Sequence, residues 1–321
     1  MYCRTRAKAA REAPLVLHQA HNQSAGGFET RPYRGRRSGD RASAQLAATY
    51  DRDMSIPLTS LEPIGGALRQ APFGLLCDVD GTLSPMAPTP AEAHVTPRNL
   101  NLIKALNGEI LVAVVSGRDL PDLCRMLATP SLVYVGLHGL AWLVGGHEQL
   151  LPEAEPYRAH TQQASEELRG LRATAGVFVE VKTVGLAFHY RGAGDPAATR
   201  AAILQAISRS PAATRFQVHE GIRMVELRPP IVSNKGFAVR RLVERFDLRG
   251  LLYLGDDVTD VDAFREARRL REAGSVVAYG VAVTHAEAPP AAADAADFTV
   301  ADVGGVEWLL GEIAKTARTE D

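Results

Sequence analysis

From residue 73 onward, short apolar β-rich runs alternate with segments of helical periodicity, and this alternation restricts the fold more than any other feature of the chain. Strands separated by helices cannot close as tight hairpins, so they lie parallel with helices over the sheet. Runs at 73–78, 110–115, 133–136, 251–255, 276–278 and 298–300 read as strands, and 97–107, 121–127, 235–246, 260–270 and 303–313 as helices. Thr96 and Pro97 mark a helix start and Gly108 its stop. A hairpin turning at Gly145-Gly146 follows the third strand. Between these parts the pattern changes. A helix at 155–173, strands at 177–182 and 186–191, a helix at 196–208 and strands near 215–219 and 223–228 form a twice-used helix-strand-strand unit. Pro152, Pro156, Pro229 and Pro230 mark its hinges. The fold class is α/β: a Rossmann-like parallel-sheet core over 58–155 and 229–321, with an α+β layer inserted over 156–228.

The 321 residues are 46% hydrophobic with a formal charge of -1, enough for a sizeable core and without the excess of positive charge that nucleic-acid binding uses. Cys3, Cys77 and Cys124 are too scattered for a disulfide framework or a zinc cluster. No apolar run reaches the roughly 18 to 20 residues that cross a bilayer, so the expectation is a cytoplasmic protein with no membrane partner. Residues 1–57 differ from the rest, with ten Lys and Arg against five Asp and Glu and little apolar periodicity. They read as a disordered extension. A transit peptide or a basic nucleic-acid tail are alternatives to an inert segment preceding a start at Met54.

The first strand ends in Asp78-Val79-Asp80-Gly81-Thr82-Leu83. A lone Asp-x-Asp is often a turn device, but three further signals join it: Ser116-Gly117-Arg118, Lys235, and Gly255-Asp256-Asp257 with Asp260. Parallel strands bring such ends to one rim, where open α/β sheets place their sites. Phosphoryl transfer needs a nucleophile, a proton shuttle, groups that seat the phosphate, and a divalent cation. Two residues apart on an extended segment, Asp78 and Asp80 would share a face, Asp78 as nucleophile and Asp80 as acid and base. Ser116, Gly117, Arg118 and Lys235 would bind phosphate. Asp78, the Asp80 carbonyl, Asp256 and Asp257 would hold Mg²⁺, a hard ion suited to oxygen ligands.

In this order the motifs resemble the haloacid-dehalogenase superfamily of aspartate-nucleophile phosphatases, and within it the trehalose-6-phosphate phosphatases, over about residues 73–310. More local runs carry the second resemblance: Gly136-Leu137-His138-Gly139, Glu180-Val181-Lys182, His189-Tyr190-Arg191 and Glu226-Leu227-Arg228-Pro229. The resemblance implies hydrolysis of trehalose 6-phosphate through an aspartyl-phosphate, with the inserted layer a cap whose Glu180, Lys182, Arg191 and Glu226 contact the sugar. From spacing alone Glu180 and Lys182 are as naturally a solvated cross-strand ion pair, His189 is a structural residue, and His138 either lines the rim or sits satisfied in a turn. One departure touches specificity: where the family continues Thr-Asp-Glu, this chain reads Thr259-Asp260-Val261-Asp262. Another sugar phosphate, such as sucrose 6-phosphate or a glycosyl-glycerate phosphate, and a silent sugar-phosphate sensor are the rival readings.

Overall fold

A computed structural model describes residues 55–318; most of the basic extension, and a start at Met54, lie outside the described residues. Among the described residues, thirteen strands form two sheets. In chain order these are β1 (Ile56–Pro57), β2 (Phe73–Cys77), β3 (Leu111–Val115), β4 (Val133–Gly136), β5 (Ala141–Val144), β6 (His147–Leu150), β7 (Phe178–Val181), β8 (Leu186–His189), β9 (Gln217–Gly221), β10 (Met224–Arg228), β11 (Gly250–Gly255), β12 (Val277–Thr284) and β13 (Phe298–Ala301). The larger sheet runs β1-β13-β12-β11-β2-β3-β4-β5-β6. Pairing is parallel from β1 to β4 and antiparallel in the β4-β5-β6 edge. The edge hairpin turns at Gly145 and Gly146, both at positive φ (59° and 82°), the backbone that a two-residue hairpin loop requires.

All of β2 and β11 is buried, as it must be where helices cover both faces of a parallel sheet. Pro97–Leu106 packs against Asp302–Arg318, and Lys235–Phe246 against Val261–Glu272. The latter pair closes a core with Leu76, Val115, Leu242, Tyr253 and Phe264. The chain leaves β2 for β3 on one side and returns to β11 on the other, so the crevice beyond their C-terminal ends is a topological switch point.

The smaller sheet, β7-β8-β10-β9, is antiparallel throughout. Its strands alternate. Leu186, Phe188, Val225 and Leu227 face a core with Ile203, Ile207 and Phe216, so the residues between them, among them His189, Glu226 and Arg228, project from the opposite face.

Four details depart from the sequence reading. The sheet begins inside the expected extension, because Ile56 and Pro57 pair with β13. The helix expected over 155–173 stops at Glu167 and continues as a 3-10 turn, Arg169–Ala173, where Gly170 weakens an α-helix. A short helix, Pro290–Ala295, is additional. β12 continues six residues beyond the expected 278, because Gly280 does not end it: a Cβ there would lie 2.5 Å from the Phe264 ring, so the glycine is a packing requirement inside the strand.

Candidate active site

Four adjacent parallel strands, β12, β11, β2 and β3, end on one rim and are followed directly by His285, Asp256, Asp78 and Ser116. These residues line a cavity of about 230 Å³ between the rim and the polar face of the smaller sheet. The same cavity is lined by Asp80, Gly117, Arg118, Glu180, Lys182, Arg191, Glu226, Lys235 and Asp257, whereas Asp260, also singled out from the sequence, is buried beneath it and is not a lining residue.

At the floor, Lys235 Nζ, at the start of its helix, lies 2.8 Å from Asp78 Oδ2 and 2.7 Å from Asp260 Oδ1. Burial opposes the ammonium charge, but Asp260 and Asp78 outweigh it and raise Lys235 above its ordinary value. Asp260 also accepts from the Tyr253 hydroxyl (2.6 Å) and from the Asp256 and Asp257 backbone N–H groups (3.1 and 2.9 Å). The carboxylate is thus surrounded by four donors. It fixes Lys235 and the β11 turn.

The Asp78, Asp256 and Asp260 side chains offer oxygens within 4.8 Å of one another. Three buried carboxylates against one ammonium leave an excess of negative charge. Burial, opposed by Lys235 and reinforced by Asp260 and Asp256, pushes Asp78 well above the carboxylate range. Burial likewise pushes Asp256 up to about 6, with the His285 hydrogen bond opposing. Asp78 Oδ1 is buried without a hydrogen-bond partner. Unpaired buried charge of this kind is relieved by a proton or by a cation, and an all-oxygen set selects a hard cation. Asp257 is not in this group; its carboxylate caps the turn Val258–Asp260.

Asp80 does not share a strand face with Asp78. The strand ends at Cys77, and the N–H groups of Thr82, Leu83 and Ser84 all turn back onto the Val79 carbonyl. The two carboxylates therefore meet different cations. Arg118 grips Asp80 with two parallel hydrogen bonds, Nε to Oδ2 at 2.6 Å and Nη2 to Oδ1 at 2.7 Å, and donates from Nη1 to the Pro90 carbonyl at 3.1 Å. Gly81 sits at φ 80° against the Asp256 carboxylate, where a Cβ would be 2.1 Å from Oδ2. Thr82 Oγ1 donates to Asp256 Oδ1 at 3.0 Å, so the Gly-Thr turn holds the neighbouring strand's acid in place.

The roof is a charged network. Glu226, 3% exposed, accepts from Lys182 and from Arg228 Nε (2.6 Å), while Lys182 Nζ also donates to the Gly117 carbonyl (3.0 Å). Burial disfavours the Glu226 charge, but Lys182, His138 and Arg228 hold it well below the usual carboxylate range. Glu180 pairs with His189 Nε2 at 2.9 Å instead of with Lys182. Arg191 reaches across to Glu287 Oε2 at 2.7 Å.

His138 lines the cavity at the rim and is not satisfied in its turn. Leu137 and His138 both adopt left-handed backbone (φ 52° and 55°), a conformation costing non-glycine residues roughly 1–2 kcal/mol each. The turn stacks the imidazole over Gly117, where a Cβ would lie 2.5 Å from the ring. His138 Nδ1 is buried without a partner, and Nε2 is 3.6 Å from Glu226 Oε2. Burial, opposed by Glu226 and reinforced by Arg228, lowers the imidazole to about 4, so at neutral pH this is a neutral contact and not an ion pair. Between its unfolded value of 6.5 and about 4, only the unfolded chain takes this proton. Stability should therefore fall as pH drops through that window, by at most about 3 kcal/mol from this group. Urea melts at pH 6.5 and 4.5 check this: His138→Asn should show the smaller difference, and an unchanged difference refutes it.

His285 and Glu287 were not legible as site residues. The signal was the continuous apolar run Val281-Ala282-Val283 beyond Gly280, which carries β12 to Thr284 at the rim. Val261, the departure in the last acidic motif, is buried, and neither it nor Asp262 is among the residues lining the cavity.

Residues 76–303 match the family described as Trehalose-phosphatase. The trehalose-phosphate phosphatase of Mycobacterium tuberculosis is 33% identical over 227 residues, covering 67% of this chain and 57% of that protein. An uncharacterized glycosyl hydrolase of the same species is 34% identical over 211 residues, covering 63% of this chain and 16% of that protein. The chain thus spans about half or less of the length of these relatives. Among solved structures, the C-terminal domain of a C. albicans trehalose-6-phosphate phosphatase superposes with a TM-score of 0.66 at 23% identity, covering 82% of this chain and 99% of that one. A haloacid dehalogenase-like hydrolase from Bacteroides thetaiotaomicron superposes at 0.52 and 13%, covering 75% and 98%. With its acidic rim turns and polar inserted layer inside the matched span, the chain belongs to the trehalose-phosphatase family.

Proposed function

We propose that this protein hydrolyses trehalose 6-phosphate to trehalose and inorganic phosphate, as a cytoplasmic Mg²⁺-dependent phosphatase whose inserted layer acts as the sugar-binding cap. The observation that carries the reading is the cavity with Asp78 and Lys235 at its floor and the charged side chains of the inserted layer at its roof. The donor set fits Mg²⁺, with Asp78 and Asp256 supplying side-chain oxygens; when bound, the ion would offset phosphate charge. The Asp80 carbonyl is a further oxygen donor in this reading.

The residues then divide the work. Lys235 holds Asp78 Oδ2 and orients the carboxylate for attack on phosphorus. The P–O bond to the sugar breaks as the Asp78–phosphorus bond forms, and Asp80 gives the sugar oxygen its proton. Asp80 next takes a proton from water, whose oxygen attacks phosphorus and frees Asp78 and phosphate. Ser116, the Gly117 N–H and Lys235 seat the phosphate oxygens. Arg118, already engaged by Asp80 and Pro90, serves as the positioner of Asp80, its two parallel hydrogen bonds holding the carboxylate in place for the base half; the acid half requires the carboxyl to leave that fork. Glu180, Lys182, Arg191 and Glu226 would meet the sugar hydroxyls.

The second reading has its own support. The C-terminal domain of a Candida albicans trehalose synthase regulatory protein shares the fold with a TM-score of 0.59 at 13% identity, so the fold alone does not separate enzyme from sensor. Phosphate release over a panel of sugar phosphates, with Mg²⁺ and with chelator, tests both. Trehalose 6-phosphate should exceed sucrose 6-phosphate and glucose 6-phosphate by about tenfold or more, the discrimination that one or two lost polar contacts produce, and chelator should stop release. Equal rates on monosaccharide phosphates would refute the substrate, and binding without release would favour the sensor.

A further inference from the structure

We propose that the turn after β12 couples the metal-side acid to the inserted layer: His285 positions Asp256 from one end of the turn, and Glu287 anchors Arg191 from the other. The proposal rests on the functional reading above only for calling Asp256 a metal-side acid. His285 is the first residue beyond β12, and its Nε2 lies 3.1 Å from Asp256 Oδ2. The Glu287 N–H donates to His285 Nδ1 at 3.3 Å. A ring nitrogen that accepts there carries no proton in the neutral ring, so the proton sits on Nε2 and is donated to Asp256. With Thr82 on Oδ1 and His285 on Oδ2, the Asp256 carboxylate is fixed at both oxygens by side chains from two other rim segments.

The turn is built to hold two ends in register. The Ala288 N–H closes it onto the His285 carbonyl at 3.0 Å, Thr284 Oγ1 ties its base to the Val300 carbonyl at 3.2 Å, and Pro289 leads into the helix Pro290–Ala295. From this frame Glu287 accepts Arg191 Nη1 at 2.7 Å. Among the described residues, hydrogen bonds therefore tie the inserted layer to the rim at two places. Beyond β3, the Thr183 N–H meets Asp119 Oδ2 at 2.5 Å and Lys182 meets the Gly117 carbonyl; beyond β12, Arg191 meets Glu287. Only the second tie shares a turn with a residue touching the acidic group. Arg191 accordingly acts as a positioning residue of the layer as well as a lining residue of the cavity.

Mn²⁺ titration of the full chain, followed by the electron paramagnetic resonance of the free ion, reads the metal side without turnover. His285→Ala should weaken Mn²⁺ binding about tenfold, the usual effect of losing a group that orients a ligand, and His285→Gln, which can keep an N–H donor, should recover most of it. Glu287→Ala should weaken Mn²⁺ binding about threefold and raise KM for trehalose 6-phosphate about three- to fivefold, the scale of one half-exposed ion pair. Arg191→Ala should shift Mn²⁺ affinity in the same direction, and the double variant should be no worse than the larger single effect. Wild-type Mn²⁺ affinity in His285→Ala would overturn the positioning role, and wild-type affinity in both Glu287→Ala and Arg191→Ala would overturn the coupling. If the wild type releases no phosphate, the functional reading fails, and the Mn²⁺ affinities still decide the proposal.

Discussion

Replacing Asp78 with Asn is expected to lower phosphate release from trehalose 6-phosphate by on the order of 10⁴- to 10⁶-fold, the range for removing an attacking group that works with a positioned partner. An amide oxygen is a poor nucleophile and a weak ligand for a hard cation. The fold should survive the change. Burial, with Asp260 and Asp256 adding to it against Lys235, already disfavours the Asp78 charge, and Lys235 keeps its bond to Asp260. A neutral residue at 78 relieves repulsion among the carboxylates, so the melting temperature in metal-free buffer should stay level or rise. Full activity in the variant would refute a nucleophilic Asp78, and a large drop in melting temperature would show that the loss of activity came from the fold.

Asp80→Asn should separate turnover from binding. The expected loss in kcat is about 10²- to 10⁴-fold, the contribution of a positioned acid and base, with sugar-phosphate affinity within about threefold of wild type. The variant should hold its substrate long enough for calorimetric titration. Arg118 loses its two-pronged carboxylate partner but keeps the Pro90 carbonyl, and because Asp80 is about a third exposed, solvent should screen much of the unpaired charge. If affinity falls in proportion to rate, Asp80 is a binding residue and the proton shuttle must be sought elsewhere.

The rim was legible because its signals are local. A buried strand followed by Asp, Ser-Gly or Gly-Asp can be read from a dozen residues, and the parallel rule then places Asp78, Ser116 and Asp256 together. Glu180 and Lys182 were legible as neighbours, but not their partners. His189 follows from strand pairing across a turn, and Glu226 comes from a strand more than forty residues away. Asp257 and Asp260 show the same limit. Both are acids in one motif, and which of them lies among the carboxylates and which caps a turn depends on Lys235 and Tyr253, brought in from other segments. His285 was hidden by Gly280, a residue that reads as a strand end unless Phe264 is known to fill the space above it.

Element type, parallel pairing and the residues that follow β2, β3 and β11 were determined by the chain's own periodicity, because hydrophobic spacing and turn chemistry act over a few residues. The pairing of charges was decided only in three dimensions. Asp78 meets Lys235 and Asp80 meets Arg118 because the backbone turns at Val79, and Arg191 meets Glu287 because the inserted layer lies over the rim. An ion pair depends on a few ångströms between side chains from distant segments, and that distance is set by how the segments around the rim pack and, for Arg191 and Glu287, by how the two sheets pack.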